Sequence, residues 1–171
     1  VNGIWIRQAV KERITSEIYI HTGLSIFFTL LVLELTLGIR ESWMHLEIFW
    51  LAVIGWILYI PSAYLVVASI HALKHKGRPE TADPTATTTF IDTCVYSVVS
   101  QPMTLGMAIW SIALILVFQS ILAVILGMVS IFCFWMSARK EAEYNIRKFG
   151  DKYKEYIRKV PVWNIFKGIR K

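Results

Sequence analysis

The sequence predicts an all-α integral membrane protein: four transmembrane helices, the last two a tight helical hairpin, then an amphipathic helix on the cytoplasmic side. Three observations predict it. The chain has 171 residues, 56% hydrophobic and only 18% charged, against about 45 to 50% and about 25% in soluble domains. Its apolar residues gather into long runs at 18–38, 46–73 and 103–138. Seven Trp, seven Tyr and nine Phe give the aromatic weight of interfacial belts, and the mean hydropathy is +0.53. This composition excludes disorder and an ordinary soluble domain, and the length allows one domain, 1–171.

Residues 1–17 form an interfacial lead-in, with Ile6, Val10 and Ile14 at helical spacing and Arg7, Lys11, Glu12 and Arg13 between them. The run at 18–38 is long enough to cross a core of about 30 Å and carries one charge, Glu34. No small-residue cleavage site follows it, so it reads as a retained anchor. After a polar link, Arg40-Glu41-Ser42, the run at 46–73 exceeds one crossing and contains Pro61, which predicts a kinked helix. The stretch 74–102 is a cytoplasmic loop whose polar part, 74–92, holds Gly77, Pro79, Pro84 and five threonines and is placed to line a site.

Residues 103–138 are nearly uncharged. As one helix they would measure about 54 Å, so they must fold back, and the polar pair Gln119-Ser120 marks the turn between two short arms. In the tail, 139–171, the pattern Ile146, Phe149, Tyr153, Tyr156, Val160 keeps one apolar face, and Pro161 ends that helix.

The net charge of +6 is concentrated in the tail. Residues 139–171 hold eleven basic and four acidic side chains; residues 1–138 hold seven and eight. With four spans, seventeen of the eighteen Lys and Arg fall on one side, and only Arg40 lies opposite. The positive-inside rule makes that side cytoplasmic, with both termini on it. The basic, aromatic tail then faces anionic lipid or an anionic ligand rather than nucleic acid. Cys94 and Cys133 are read as free thiols.

From here the sequence resembles a family of membrane enzymes, the isoprenylcysteine carboxyl methyltransferases and related phospholipid methyltransferases. Their signature is Gly-x-Tyr, three residues, then Arg-His-Pro-x-Tyr-x-Gly at the opening of a hairpin. The corresponding residues are Cys94-Val95-Tyr96, Ser97-Val98-Val99, then Ser100-Gln101-Pro102-Met103-Thr104-Leu105-Gly106. Tyr96, Pro102 and Gly106 match; Ser100 and Gln101 stand where the family has Arg and His. After the hairpin come Glu141-Ala142-Glu143, then Phe149-Gly150-Asp151-Lys152-Tyr153-Lys154-Glu155-Tyr156, Val160-Pro161 and Phe166-Lys167-Gly168. The resemblance covers residues 90–168.

The resemblance implies methyl transfer from S-adenosylmethionine to a lipophilic acceptor, a prenylcysteine carboxylate or a lipid. In that chemistry the sulfonium activates the methyl group, and the protein aligns donor and acceptor and excludes water. It implies Glu141 and Arg139 as catalytic residues. It implies Tyr96, Ser100, Gln101, Pro102, Met103, Gly106, Glu143, Tyr153 and Tyr156 around the cofactor. Arg139, Lys140, Arg147 and Arg158 are the cations available to replace the lost Arg-His.

Three features are weighed on physical grounds. Glu34 is a substrate-side candidate because a carboxylate in hydrocarbon is costly, although it lies one turn from Gly38 and has an interfacial alternative. Trp110 and Trp135 are candidates to line an acyl or prenyl channel, with lipid-facing packing as the alternative. His71 and His75, at i,i+4, lack a third ligand and read as polar surface; no metal site is expected. Two rival functions stay open. One is a non-catalytic lipid- or partner-binding protein on the same scaffold, in keeping with Ser100-Gln101, and the other a nicotinamide-dependent membrane reductase of the sterol type. The sequence leaves the oligomeric state open.

Overall fold

The computed structural model describes residues 2–12, 14–36, 45–77 and 89–169. The link at 40–42 and most of the polar stretch expected to line a site, 78–88, lie outside the described residues. Seven helices run in order: α1 (Asn2–Glu12), α2 (Thr15–Thr36), α3 (Phe49–Lys76), α4 (Pro102–Phe118), α5 (Ile121–Phe149), α6 (Asp151–Lys159) and α7 (Ile165–Ile169). A 3₁₀ turn, Cys94–Ser97, precedes α4.

The lead-in is helical, as its periodicity predicts, and it folds back on α2. Ala9 is fully buried and Trp5 stacks on His21 with ring centroids 6.0 Å apart, while Ile4 and Val10 stay exposed. Helix α2 starts at Thr15, three residues ahead of the expected boundary, because its first turn carries Glu17, an acid suited to a helix N-terminus. Helix α3 runs unbroken past Pro61 to Lys76.

The helices alternate in direction and pair through small residues. A Cβ added at Gly55 would meet Val117 Cγ2 at 2.8 Å, and one at Gly106 would meet Val66 Cγ2 at 2.8 Å, so α3 and α4 lie almost backbone to backbone. Ser62 Oγ donates to Gly106 O (2.8 Å) across the same seam. Gly23 of α2 packs on Cys133 and Phe134 of α5, and Gly127 of α5 packs on Ile115 of α4. Lipid tails are as apolar as leucine, so in a bilayer such close contact, rather than escape from water, holds helices together. Phe27, Leu30, Leu114 and Phe134 fill the middle of the bundle and are almost wholly buried.

The hairpin turn falls at Gln119-Ser120, as expected. Gln119 adopts the left-handed conformation (φ 50°), and Ser120 caps α5 by accepting the Ala123 N–H at 2.8 Å. The Gln119 side chain donates through Nε2 to Ile48 O and accepts the Ile48 N–H at Oε1, both at 3.0 Å, which pins the start of α3 to the turn.

Two expectations change. The hairpin arms are unequal, 17 and 29 residues, because nothing between Ala138 and Phe149 interrupts α5. The amphipathic helix expected after Arg139 is therefore the last third of α5 plus α6, divided at Gly150, whose φ of +64° ends one helix before Asp151 opens the next. Helices α2, α3 and α5 are long and apolar enough to cross a membrane; α4 is apolar and 17 residues long. The apolar part of α5 ends at Ala138, and its charged continuation carries Glu141 beyond the membrane-spanning segment.

Candidate functional site

One end of the bundle collects the polar residues. Three chain segments meet there: the 3₁₀ turn and the start of α4, the charged end of α5, and α6. Antiparallel packing brings the first turn of α2 to the same place, where Ser137 Oγ of α5 donates to Ser16 O at 2.9 Å.

Glu141 is at the centre. It lies one turn beyond Ser137 on the same face of α5, and the side-chain amides of Gln101 and Asn145 hydrogen-bond its carboxylate. Burial raises the Glu141 carboxyl to about 7; those amide hydrogen bonds pull it down, and the charge of Glu17 adds to the rise. Gln101 is nearly buried. Tyr96, the last but one residue of the 3₁₀ turn, is tied to Ser69 of α3 and is titrated upward by burial and by Glu141.

Tyr153 sits beside this group. It is only 3% exposed, and its hydroxyl is pushed up to about 12 by burial, with Glu141 contributing. That hydroxyl has no partner in hydrogen-bond geometry, although Asn145 and Gln101 are close enough to act on it. The hydroxyl of Ser100, also 3% exposed, is equally unpartnered. Buried polar atoms are nearly always paired, so these two hydroxyls, one next to Gln101 in sequence and one close to its side chain, have hydrogen-bonding capacity to spare.

An aromatic cap closes the cluster. Phe90 packs edge-on against Tyr153 and Tyr156, with centroids 5.6 and 4.9 Å away. Tyr156 donates its hydroxyl to Tyr96 O at 2.5 Å, and burial raises its pKa. The chain beyond α6 then straps the start of α4. Ser100 N donates to Pro161 O (3.0 Å), Trp163 Nε1 donates to Thr104 Oγ1 (3.2 Å), and buried Gly168 lies directly on Val98.

Of the residues singled out in the sequence, the structure brings together Tyr96, Ser100, Gln101, Glu141, Tyr153 and Tyr156. Pro102 is buried at the first position of α4, where its missing N–H costs nothing. Met103 follows it, half-buried. Gly106 serves the contact with α3.

Five others lie elsewhere. Glu143 points away from the buried side of α5 and pairs with Lys140 at 2.9 Å, which lowers its pKa. Arg139 is exposed, with its guanidinium 4.9 Å above the Trp135 ring. Trp135 is on the outer surface of α5, and Trp110 packs between Phe27 and Tyr59 in the bundle.

Glu34 is at the far end. It is 2% exposed and accepts a hydrogen bond from the Ser120 hydroxyl. Along α5 that is about 30 Å from Glu141. The rings of His71 and His75 lie 4.3 Å apart, tilted at 41° and exposed, and no cluster of three metal-ligating side chains occurs among the described residues.

The residues missed in the sequence are Asn145, Ser69 and Glu17. Asn145 was findable, since it is four residues after Glu141 and shares its face. Glu17 and Ser69 arrive from other helices with no local signal.

Cys94 explains one motif position. Its φ is +58°, in the left-handed region that glycine adopts freely, at the place where the resembled signature has Gly. The exposed thiol lies 3.4 Å from Lys76 Nζ, which also donates to Thr93 Oγ1 at 2.9 Å.

Comparison with curated proteins and with solved structures gave no match. The family model described as phospholipid methyltransferase matches residues 50–152. It takes in α3, the 3₁₀ turn, the hairpin and the charged end of α5, and so spans Tyr96, Ser100, Gln101 and Glu141. With more than half of the chain inside that match, and with three helices fit to cross a bilayer, this is an integral membrane protein of the phospholipid methyltransferase family.

Proposed function

We propose that the protein transfers a methyl group from S-adenosylmethionine to the amine of a lipid at the cytoplasmic interface, on a scaffold of four crossings with both termini cytoplasmic. The observation that carries this reading is the half-buried Glu141, ringed by Gln101, Asn145 and Tyr96, with the unpartnered hydroxyls of Ser100 and Tyr153 close to Gln101.

The residues fit the cofactor. Glu141 suits an ammonium or a ribose hydroxyl, the two free hydroxyls supply neutral donors and acceptors, and Phe90, Tyr153 and Tyr156 offer flat apolar surface. Once bound, the cofactor supplies an electrophilic methyl group on a positively charged sulfur. The chain's own residues exclude water and hold the acceptor in line.

A lipid amine needs what this site has. An ammonium must lose a proton before its lone pair attacks the methyl carbon and the carbon–sulfur bond breaks. A carboxylate with a pKa near 7 is matched to hold the ammonium and accept that proton at neutral pH. A carboxylate acceptor would need a cation, but Arg139 is engaged on Trp135 and Lys140 on Glu143.

The test is transfer of labelled methyl groups by the purified protein in vesicles holding either an ethanolamine phospholipid or a prenylcysteine. Label in the phospholipid amine is expected. Label only in the prenylcysteine overturns the acceptor, and label in neither overturns the enzyme reading.

A further inference from the structure

We propose that Trp163, in the strap beyond α6, is a positioning residue: through Thr104 its indole fixes the backbone that carries Ser100 and Gln101 into the site. The inference rests on the methyltransferase reading and adds to it a residue outside the family match, which ends at residue 152.

The need for an outside hold begins at Gln101. It is the N-cap of α4, with φ −133° and ψ 64°, and its side chain makes no capping hydrogen bond. A capping side chain ordinarily ties such a residue to its own helix. Here the amide is turned to Glu141 instead, so the orientation of the residue depends on what holds its backbone.

Two contacts from the strap bracket the Ser100-Gln101 pair. At one end, Ser100 N donates to Pro161 O at 3.0 Å. At the other, Trp163 Nε1 donates to Thr104 Oγ1 (3.2 Å), and that hydroxyl donates in turn to Gln101 O (3.1 Å). Thr104 is fully buried, which shields the relay from water.

The strap is itself anchored. Trp163 packs against the core of the bundle, Asn164 Oδ1 accepts the Lys167 N–H, and Gly168 lies so close to Val98 O that a side chain there would collide with it. Val98 and Ser100 are held through their backbones. Thr104 is held side chain to side chain, so a single substitution can release it.

A partly buried indole N–H also needs a partner simply to be satisfied, and that role must be separated from positioning. The side-chain amide of Gln101 reports the difference. Isotopic labelling of glutamine nitrogen in the full-length protein, in lipid nanodiscs, gives its NMR signal, assigned by its loss in Gln101→Asn. The signal of Gln119, bonded twice to Ile48 at the far end, is the control.

The Gln101 signal is expected to shift in Trp163→Phe and in Thr104→Val, which keeps the shape of threonine without its hydroxyl, while Gln119 stays. In both variants the affinity for S-adenosylhomocysteine, by calorimetry, should fall about three- to tenfold, the worth of one hydrogen bond. Thr104→Ser keeps the hydroxyl and should retain signal and affinity. Should Trp163→Phe not fold, Thr104→Val carries the same test. An unmoved Gln101 signal, a shift shared with Gln119, or a shift with unchanged affinity overturns the proposal. If the wild type binds no S-adenosylhomocysteine, the methyltransferase reading falls, and the Gln101 signal alone still decides whether Trp163 holds the pair.

Discussion

Glu34 and Glu141 are both withdrawn from water, at opposite ends of one bundle, and their surroundings differ in kind. Glu34 accepts from Ser120, which also caps α5, and the neighbouring Gln119 is bonded twice to Ile48. Polar groups at that end are spent on holding helix ends together. Around Glu141 the hydroxyls of Ser100 and Tyr153 are left unpaired. A buried carboxylate in a membrane protein is a functional candidate by default, but its neighbours decide whether it acts as a clasp or as a ligand site.

Substitutions at the two carboxylates should therefore separate binding from stability. Glu141→Gln removes a charged hydrogen-bonding group from the ligand site and is expected to weaken S-adenosylhomocysteine binding about 100-fold, with the unfolding midpoint nearly unchanged. Glu34→Ala should do the reverse. It strips Ser120 of a partner and opens a void, costing about 2 to 3 kcal/mol in thermal unfolding, while affinity stays within about threefold. Equal losses of affinity from both would erase the distinction.

Proton dependence sharpens the comparison at the Glu141 end. Its carboxyl titrates near 7 in the folded protein against 4.5 as a free group. Ligand binding that needs the ionised form should fall about tenfold per pH unit below that point and flatten in Glu141→Gln. The stability sign is opposite. A raised carboxyl pKa means the folded state binds the proton more tightly, so wild type should gain stability relative to Glu141→Gln as pH falls from 7 to 4.5.

Tyr153→Phe removes a hydroxyl that has no partner in the protein. Affinity should drop about tenfold with no loss of unfolding midpoint, because nothing internal is left unpaired. A drop in stability without a drop in affinity would show that the hydroxyl serves the fold.

The smallest effect lies at Cys94. Replacing it by glycine relieves a left-handed non-glycine residue and should stabilise the protein by about 1 kcal/mol in the same thermal assay.

Helices were legible in the sequence because apolar run length and the absence of charge dictate them, and the turn at Gln119-Ser120 was the one pair of adjacent polar residues near the middle of 36. The long α5 was less so. Its charged end suggested a new element, but a change of polarity without a glycine or proline does not stop a helix. At the site, residues on one motif frame, Tyr96, Gln101, Glu141 and Tyr153, were readable together. Glu143 and Arg139, two residues either side of Glu141, fall on another face of α5, where they meet Lys140 and Trp135. Contacts between helices distant in sequence, such as Ser69 with Tyr96 and Glu17 with Glu141, leave no periodic trace.

The most direct test of the central claim, that the Glu141 end is a cofactor site, is calorimetric titration of S-adenosylhomocysteine into the purified full-length protein at pH 8. Saturable binding at micromolar concentration is predicted, lost in Glu141→Gln and kept in Glu34→Ala. No heat from the wild type at high micromolar concentration would contradict it.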